Sequence, residues 1–209
     1  MPSLQLSTIH AHFDRVDPII APMVRRLNRT PLPLRSKIKP DQFFVKLCGE
    51  IIGQQLSGKV ADVIEGRFWD LFPDREPTPR RVLKLTTEKL RSVGLSGAKT
   101  RYIQDLAKHV AEKKLPLATL PTLADEAVIE TLTAVKGIGR WTAEMFLLFT
   151  LGRPDIFSFN DLGLRKGLEK LYGLNVKAKP LEIEPIVNKW TPFRSYGSLA
   201  LWQSLDSEK

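Results

Sequence analysis

Lys136-Gly137-Ile138-Gly139 sets two glycines around one apolar residue, so the backbone can turn sharply and approach a ligand while Ile138 anchors the turn inward. The turn opens a helix, and the free N–H groups at a helix start suit an oxyanion such as a DNA phosphate. Gly137, Ile138 and Gly139 would supply the N–H groups, with Lys136 and Arg140 as added charge. An ordinary helix-helix corner fits the same residues. Farther along, Asp161 could stabilise positive charge on a sugar and orient or deprotonate water. It is equally suited to capping a helix from Leu162 to Tyr172, and the two roles are compatible. Asp155, the other acid of that loop, reads as structural.

Helical periodicity dominates the chain, with no run of alternating strands, so the fold class is all-α. Pro18 to Leu27 reads as a first short helix, and Asp41 as the cap of a helix over Gln42 to Gln54. Ser57 can cap a helix to Leu71, with Val60, Val63, Ile64 and Phe68 at the spacing of a buried face. Thr78, Thr86 or Thr87, and Ser96 each begin a further helix, the last running from Gly97 to Lys113. Thr122 would cap the helix before the glycine turn, and Trp141 to Leu151 forms the very apolar one after it. The last two are expected at about Leu181 to Trp190 and Pro192 to Leu205.

The 209 residues, 43% hydrophobic and 26% charged, suffice for a sizeable core. One cysteine, Cys48, excludes an internal disulfide, a four-cysteine zinc site or an iron–sulfur cluster, and three scattered histidines lack metal-ligand spacing. The N-terminus lacks the pattern of a secretion signal, and the longest oily stretch, Met145 to Leu151, cannot span a bilayer. The expectation is a soluble intracellular protein of cytoplasm and nucleoid or of nucleus, with no membrane partner. A net charge of +9 suggests a polyanion partner. From Arg75 to Lys114 eleven Lys/Arg face four Asp/Glu, a net +7 that would also fit a solvated helix face.

The string Leu132-Thr133-Ala134-Val135-Lys136-Gly137-Ile138-Gly139-Arg140-Trp141-Thr142-Ala143 resembles the helix-hairpin-helix of DNA base-excision glycosylases. Asp155-Ile156-Phe157-Ser158-Phe159-Asn160-Asp161-Leu162-Gly163 resembles the loop and aspartate that complete the signature of this HhH-GPD superfamily. Ile51 to Ser57, Gly94 to Lys99 and Trp190 to Tyr196 resemble further blocks of its DNA-3-methyladenine glycosylase II branch. The resemblance covers about residues 15 to 205. It implies two helical lobes with the active-site cleft between them, one formed by residues 1–40 with 155–209 and the other by 41–154, which carries the hairpin at 135–140. It also implies the compact form of the family, without the N-terminal β domain of its larger bacterial members.

The same resemblance implies hydrolysis of the N-glycosidic bond of an alkylated purine in double-stranded DNA by a monomer that needs no organic cofactor. Asp161 takes the position of the catalytic carboxylate. Relatives that also cut the strand carry a lysine where this chain has Trp141, so no Schiff base can form there. Trp141, Phe157, Phe159 and Trp69, in that order, are candidates for a stacking wall, since electron-rich rings favour a cationic base. Each also fits a core role. The flipped base leaves a gap that a side chain must fill. Gln55 is the first choice as that wedge and Leu56 the second, with Ser57, Gly58 and Lys59 near phosphate or minor groove and Lys99 on a further phosphate. The hairpin carbonyls of this family often hold a monovalent cation. Three other readings stay open: a non-catalytic hairpin protein that binds DNA, a bifunctional glycosylase/lyase that uses some other lysine, and a polyanion-binding structural protein.

Overall fold

The structure, a computed structural model, describes residues 6–27 and 38–206. Helices α1 (Leu6–Val16), α2 (Ala21–Arg26), α3 (Phe43–Gly53), α4 (Gly58–Trp69), α5 (Pro79–Leu83) and α6 (Thr87–Arg91) come first. They are followed by α7 (Gly97–Ala111), α8 (Asp125–Thr133), α9 (Arg140–Met145), α10 (Leu162–Tyr172), α11 (Pro180–Val187) and α12 (Arg194–Asp206). No strand occurs among the described residues, so the molecule is all-α. Nor is any described helix long and apolar enough to cross a membrane.

The chain divides into a continuous unit, Lys37–Phe146, and a discontinuous unit made of Met1–Ser36 and Leu147–Lys209. The divisions fall after 36 and 146, where the sequence suggested 40 and 154. The second falls inside one run of helix, because α9 passes directly into a π-helical turn, Phe146–Thr150. Such turns displace a helix face by one residue and recur near functional sites.

In the continuous unit α7 is the central element. Ser96 caps it by accepting from Lys99 N at 3.3 Å, and Ile103, Leu106 and Ala107 form its buried stripe. Helix α3 buries Phe43, Phe44, Leu47, Cys48, Ile51 and Ile52, and burial raises the Cys48 thiol far above its ordinary range. The expected face of α4 is corrected: Phe68 is buried, but Val60 and Val63 are 46% and 52% exposed. Ile64, also expected there, is half-buried, and the inward side runs from it through Ala61 and Glu65 in place of the two valines. The sequence concealed it because one of its members is small and another is an acid.

The discontinuous unit is held by Asp17, a buried carboxylate that no sequence pattern singles out. It accepts from Tyr172 Oη and Trp190 Nε1, both at 2.8 Å, and from the N–H groups of Ile19 and Ile20 at 3.2 and 3.4 Å. A carboxylate so deeply buried needs donors of this kind. It joins the α1–α2 corner to α10 and to the short turn that contains Trp190. Helix α1 itself is an element the sequence reading lacks, and its narrow apolar stripe buries Ile9 and Phe13.

Candidate active site

Asp161 is the N-cap of α10, with Oδ1 accepting from Leu164 N at 2.7 Å. Trp202 Nε1 of α12 donates to the same oxygen at 2.9 Å, and the carboxylate is 8% exposed. The cap alone was legible in the sequence; the indole was not. Trp202 is fixed in turn by a stacked Phe149, with ring centroids 5.7 Å apart and planes 26° apart. Gly163 makes room for it, since a Cβ there would lie 2.8 Å from the indole and 3.1 Å from Asp161 Oδ1.

The loop that presents Asp161 is tied down at every stage. Arg194 grips Asp155 with Nε at 2.8 Å and Nη2 at 3.0 Å, one nitrogen on each carboxylate oxygen. Ser195 Oγ accepts from Ile156 N at 2.9 Å and donates to Arg153 O at 2.6 Å. Arg165 Nε donates to Phe159 O at 2.7 Å. Asp155 is therefore a structural acid. Phe157 is buried against Trp190 at 6.0 Å and against Phe159 at 5.1 Å, a place in the core of its own unit. Phe159 is half-buried.

In the continuous unit the glycine turn runs between α8 and α9. Gly137 has φ +86°, and a Cβ there would lie 2.2 Å from the Tyr102 ring, so only glycine fits. Asp105 accepts from Lys136 N at 2.9 Å, so two side chains of α7 support the turn from below. Ile138 is buried, and its N–H is spent on Val135 O at 3.1 Å, which removes it from the proposed anion donors. Arg140 is also corrected as a spare positive charge. It pairs with Glu126 at 2.6 and 3.1 Å and with the buried Glu144 at 2.9 Å. Lys136 remains exposed.

The α3–α4 turn reaches its tip at Gln55, exposed and left-handed at φ 59°, with Leu56 half-buried and Ser57, Gly58 and Lys59 exposed behind it. Lys99, expected on a phosphate, instead donates Nζ to Ile52 O and Gln54 O at 2.8 and 2.7 Å. It thus finishes the C-terminal end of α3, and desolvation there holds its pKa below the usual lysine value.

A cleft of about 690 Å³ opens beside this turn, lined by Gln54, Gln55, Leu56, Trp141, Glu50 and Glu65 among others. Trp141 is 42% exposed, the Trp among the pocket candidates that this cleft contains. Trp69 is half-buried edge-on against Phe68 at 5.0 Å and does not line it. Glu50 and Glu65, which sequence reasoning missed, have carboxyl pKa values raised first by burial; each lies above the ordinary value. Glu50 is raised further by Glu65, and Glu65 by Asp62, while Lys46 works against both shifts.

Main-chain oxygens of the kind a monovalent cation prefers are present in the hairpin, where Val135 O and Gly137 O already accept from Ile138 N and Gln54 Nε2. Each keeps a second lone pair. No group of three or more His, Cys, Asp or Glu that could hold a metal ion occurs among the described residues.

Comparison with known proteins gives a consistent picture. The chain is 31% identical over 174 residues to DNA-3-methyladenine glycosylase 1 of Schizosaccharomyces pombe, covering 82% of this chain and 76% of that protein. The crystal structure of a DNA-3-methyladenine glycosidase from Bacillus halodurans superposes with a TM-score of 0.79 at 33% identity, over 100% of this chain and 93% of that one. A 3-methyladenine DNA glycosylase of Schizosaccharomyces pombe, solved in complex with abasic DNA, also gives 0.79, at 27% identity over 95% and 97%. The curated relatives differ in length, and the chain spans between 32% and 90% of them. Residues 48–193 match the family described as HhH-GPD superfamily base excision DNA repair protein. That span contains the glycine turn, the Trp141 cleft and the capped Asp161, and the chain belongs to the HhH-GPD superfamily.

Proposed function

We propose that this protein is a monofunctional DNA glycosylase that flips an alkylated purine of the 3-methyladenine type out of duplex DNA and hydrolyses its N-glycosidic bond. The observation that carries the proposal is the state of Asp161: a carboxylate removed from water, yet held by an indole N–H and a backbone N–H on one oxygen. An anion so fixed is suited to a positive charge that appears only in the transition state. As the C1′–N bond breaks, its electron pair goes to the departing base and the sugar becomes an oxocarbenium ion. Asp161 stabilises that ion and takes a proton from the water that attacks C1′. A purine alkylated at N3 or N7 is already cationic and leaves as a neutral base, so it needs little protonation.

Within the continuous unit, Trp141 is the stacking wall for the extruded base, and Gln55 fills the vacated place in the duplex, with Leu56 beside it. The hairpin contacts the DNA backbone through main-chain N–H groups and Lys136. Trp141 has no amine, so C1′ is left as a hemiacetal and the strand stays intact. The protein acts as a monomer, and no step requires an organic cofactor or a metal.

The test is to incubate the protein with randomly methylated DNA and identify the released bases by chromatography. Asp161→Asn keeps the cap, because the amide oxygen still accepts from Leu164 N. It is expected to bind an abasic-site duplex normally while its rate of base release falls about 10²- to 10⁴-fold. Full activity of this variant would remove Asp161 from the mechanism, and retention of every base by the unaltered protein would leave only DNA binding.

A further inference from the structure

Gln54 has no part in the roles assigned above, yet it makes the direct bond between the α3–α4 turn and the hairpin. Its Nε2 donates to Gly137 O at 2.8 Å and approaches Thr142 Oγ1 at 3.4 Å, across 83 and 88 residues of sequence. The carbonyl it holds belongs to the one residue of the hairpin that must be left-handed. Its own carbonyl is held by Lys99, so Gln54 is fixed at both ends. The next residue, Gln55, is the exposed left-handed tip, and Leu56 N closes the turn on Gly53 O at 3.1 Å. The tip can therefore move relative to the hairpin only by breaking the Gln54 bond or by bending a turn already closed on itself.

We infer that Gln54 is a positioning residue for base extrusion, a strut that fixes the reach of the Gln55–Leu56 tip from the hairpin that grips the DNA backbone. The inference rests on the wedge and clamp roles of the proposed function. It adds that the two act as one device: contact of the hairpin with a phosphate sets where the tip enters the stack. Without the strut the hairpin still docks and the tip still carries its side chains, but the two are then linked indirectly, through Lys99, Tyr102 and Asp105 of α7, their spacing loosens, and insertion becomes one of several conformations of the docked protein. A misplacement of about 1 Å at a reacting assembly can cost about a hundredfold in rate.

The decisive variant is Gln54→Glu, equal in length but with an acceptor where the donor stood. Gln54→Met, uncharged and of similar size, serves the same purpose if the carboxylate prevents folding. A duplex carrying 2-aminopurine next to the target position reports extrusion by fluorescence, independently of any bond cleavage. The expected result is a fluorescence amplitude and single-turnover rate lowered about tenfold, with affinity for an abasic-site duplex changed less than about threefold and little change in Tm. Combined with Gln55→Ala/Leu56→Ala, the Gln54 change should add almost nothing, since strut and tip act in series.

Extrusion at the parental level in Gln54→Glu would overturn the inference. So would additive losses, or a loss of affinity as large as the loss of extrusion, which would mark Gln54 as merely structural. If Gln55→Ala/Leu56→Ala extrudes normally, the wedge assignment and this inference fall together. If the unaltered protein releases no base while the fluorescence differences persist, the glycosidic reading fails and the strut stands.

Discussion

Asp161 is 8% exposed with two donors on one oxygen, whereas Trp141 is 42% exposed beside a turn whose tip lies open to solvent. The first region is built like a core. An arginine bidentate on Asp155, a serine bridging two backbone groups and a stacked indole tie down the loop and its carboxylate. The second is built as a surface supported from below. Tyr102, Asp105 and Lys99 of α7 and the Gln54 amide hold the backbone, and the side chains that would meet DNA project outward. The difference follows from the separate demands of chemistry and recognition. A charge that must stabilise a short-lived cation gains from being fixed in advance, while groups that meet a long polymer must stay accessible.

Gly137→Ala attacks the recognition region at its most constrained point and has the largest expected effect on stability and on DNA affinity. The methyl group meets the Tyr102 ring at a backbone angle that alanine avoids. We expect a stability loss of about 2 kcal/mol or more by urea denaturation and a marked loss of affinity for duplex DNA. Wild-type affinity in this variant would show that the hairpin does not set binding.

Trp202→Phe probes the other region more gently. It keeps the stack on Phe149 but removes the donor to Asp161 Oδ1. Base release should slow about ten- to a hundredfold in single-turnover assays, with DNA affinity unchanged and stability reduced by about 1 kcal/mol. An unchanged rate would mean that the cap alone suffices to orient the carboxylate.

The smallest effect concerns Glu50 in the cleft wall. Its folded-state pKa is raised, so the stability it contributes is present below its unfolded pKa and is lost as pH rises through the folded value. Glu50→Gln removes that loss. Its Tm should match the parent near pH 4 and exceed it by up to about 3 °C near pH 8. A variant that is less stable at the higher pH would show that the ionised carboxylate is favourably held.

The parts of this design that a reader could find in the sequence depend on neighbours in the chain. The Asp161 cap bonds to Leu164, the glycine turn is marked by its own residues, and Ser96 caps α7 within three positions. The parts that escaped notice bond across long separations. Trp202 lies 41 residues from Asp161, Gln54 83 from Gly137, and Asp17 155 from Tyr172. Lys99 and Arg140 mislead for a related reason. A basic side chain near a phosphate-binding motif reads as a phosphate ligand until its real acceptors, Ile52 O and Gln54 O for one and Glu126 for the other, are in view.

The Asp17 cluster also bears on the order of assembly, because it cannot be completed until the end of the chain is made. Its carboxylate is made early, but two of its four donors, Tyr172 and Trp190, come from the last fifth of the polypeptide. During translation the stretch 37–146 emerges whole and can fold as the ribosome continues, while the Asp17 carboxylate has the adjacent Ile19 and Ile20 N–H groups to accept from but still lacks Tyr172 and Trp190. Truncation after residue 146 should therefore spare the hairpin and leave the amino-terminal helices without a partner.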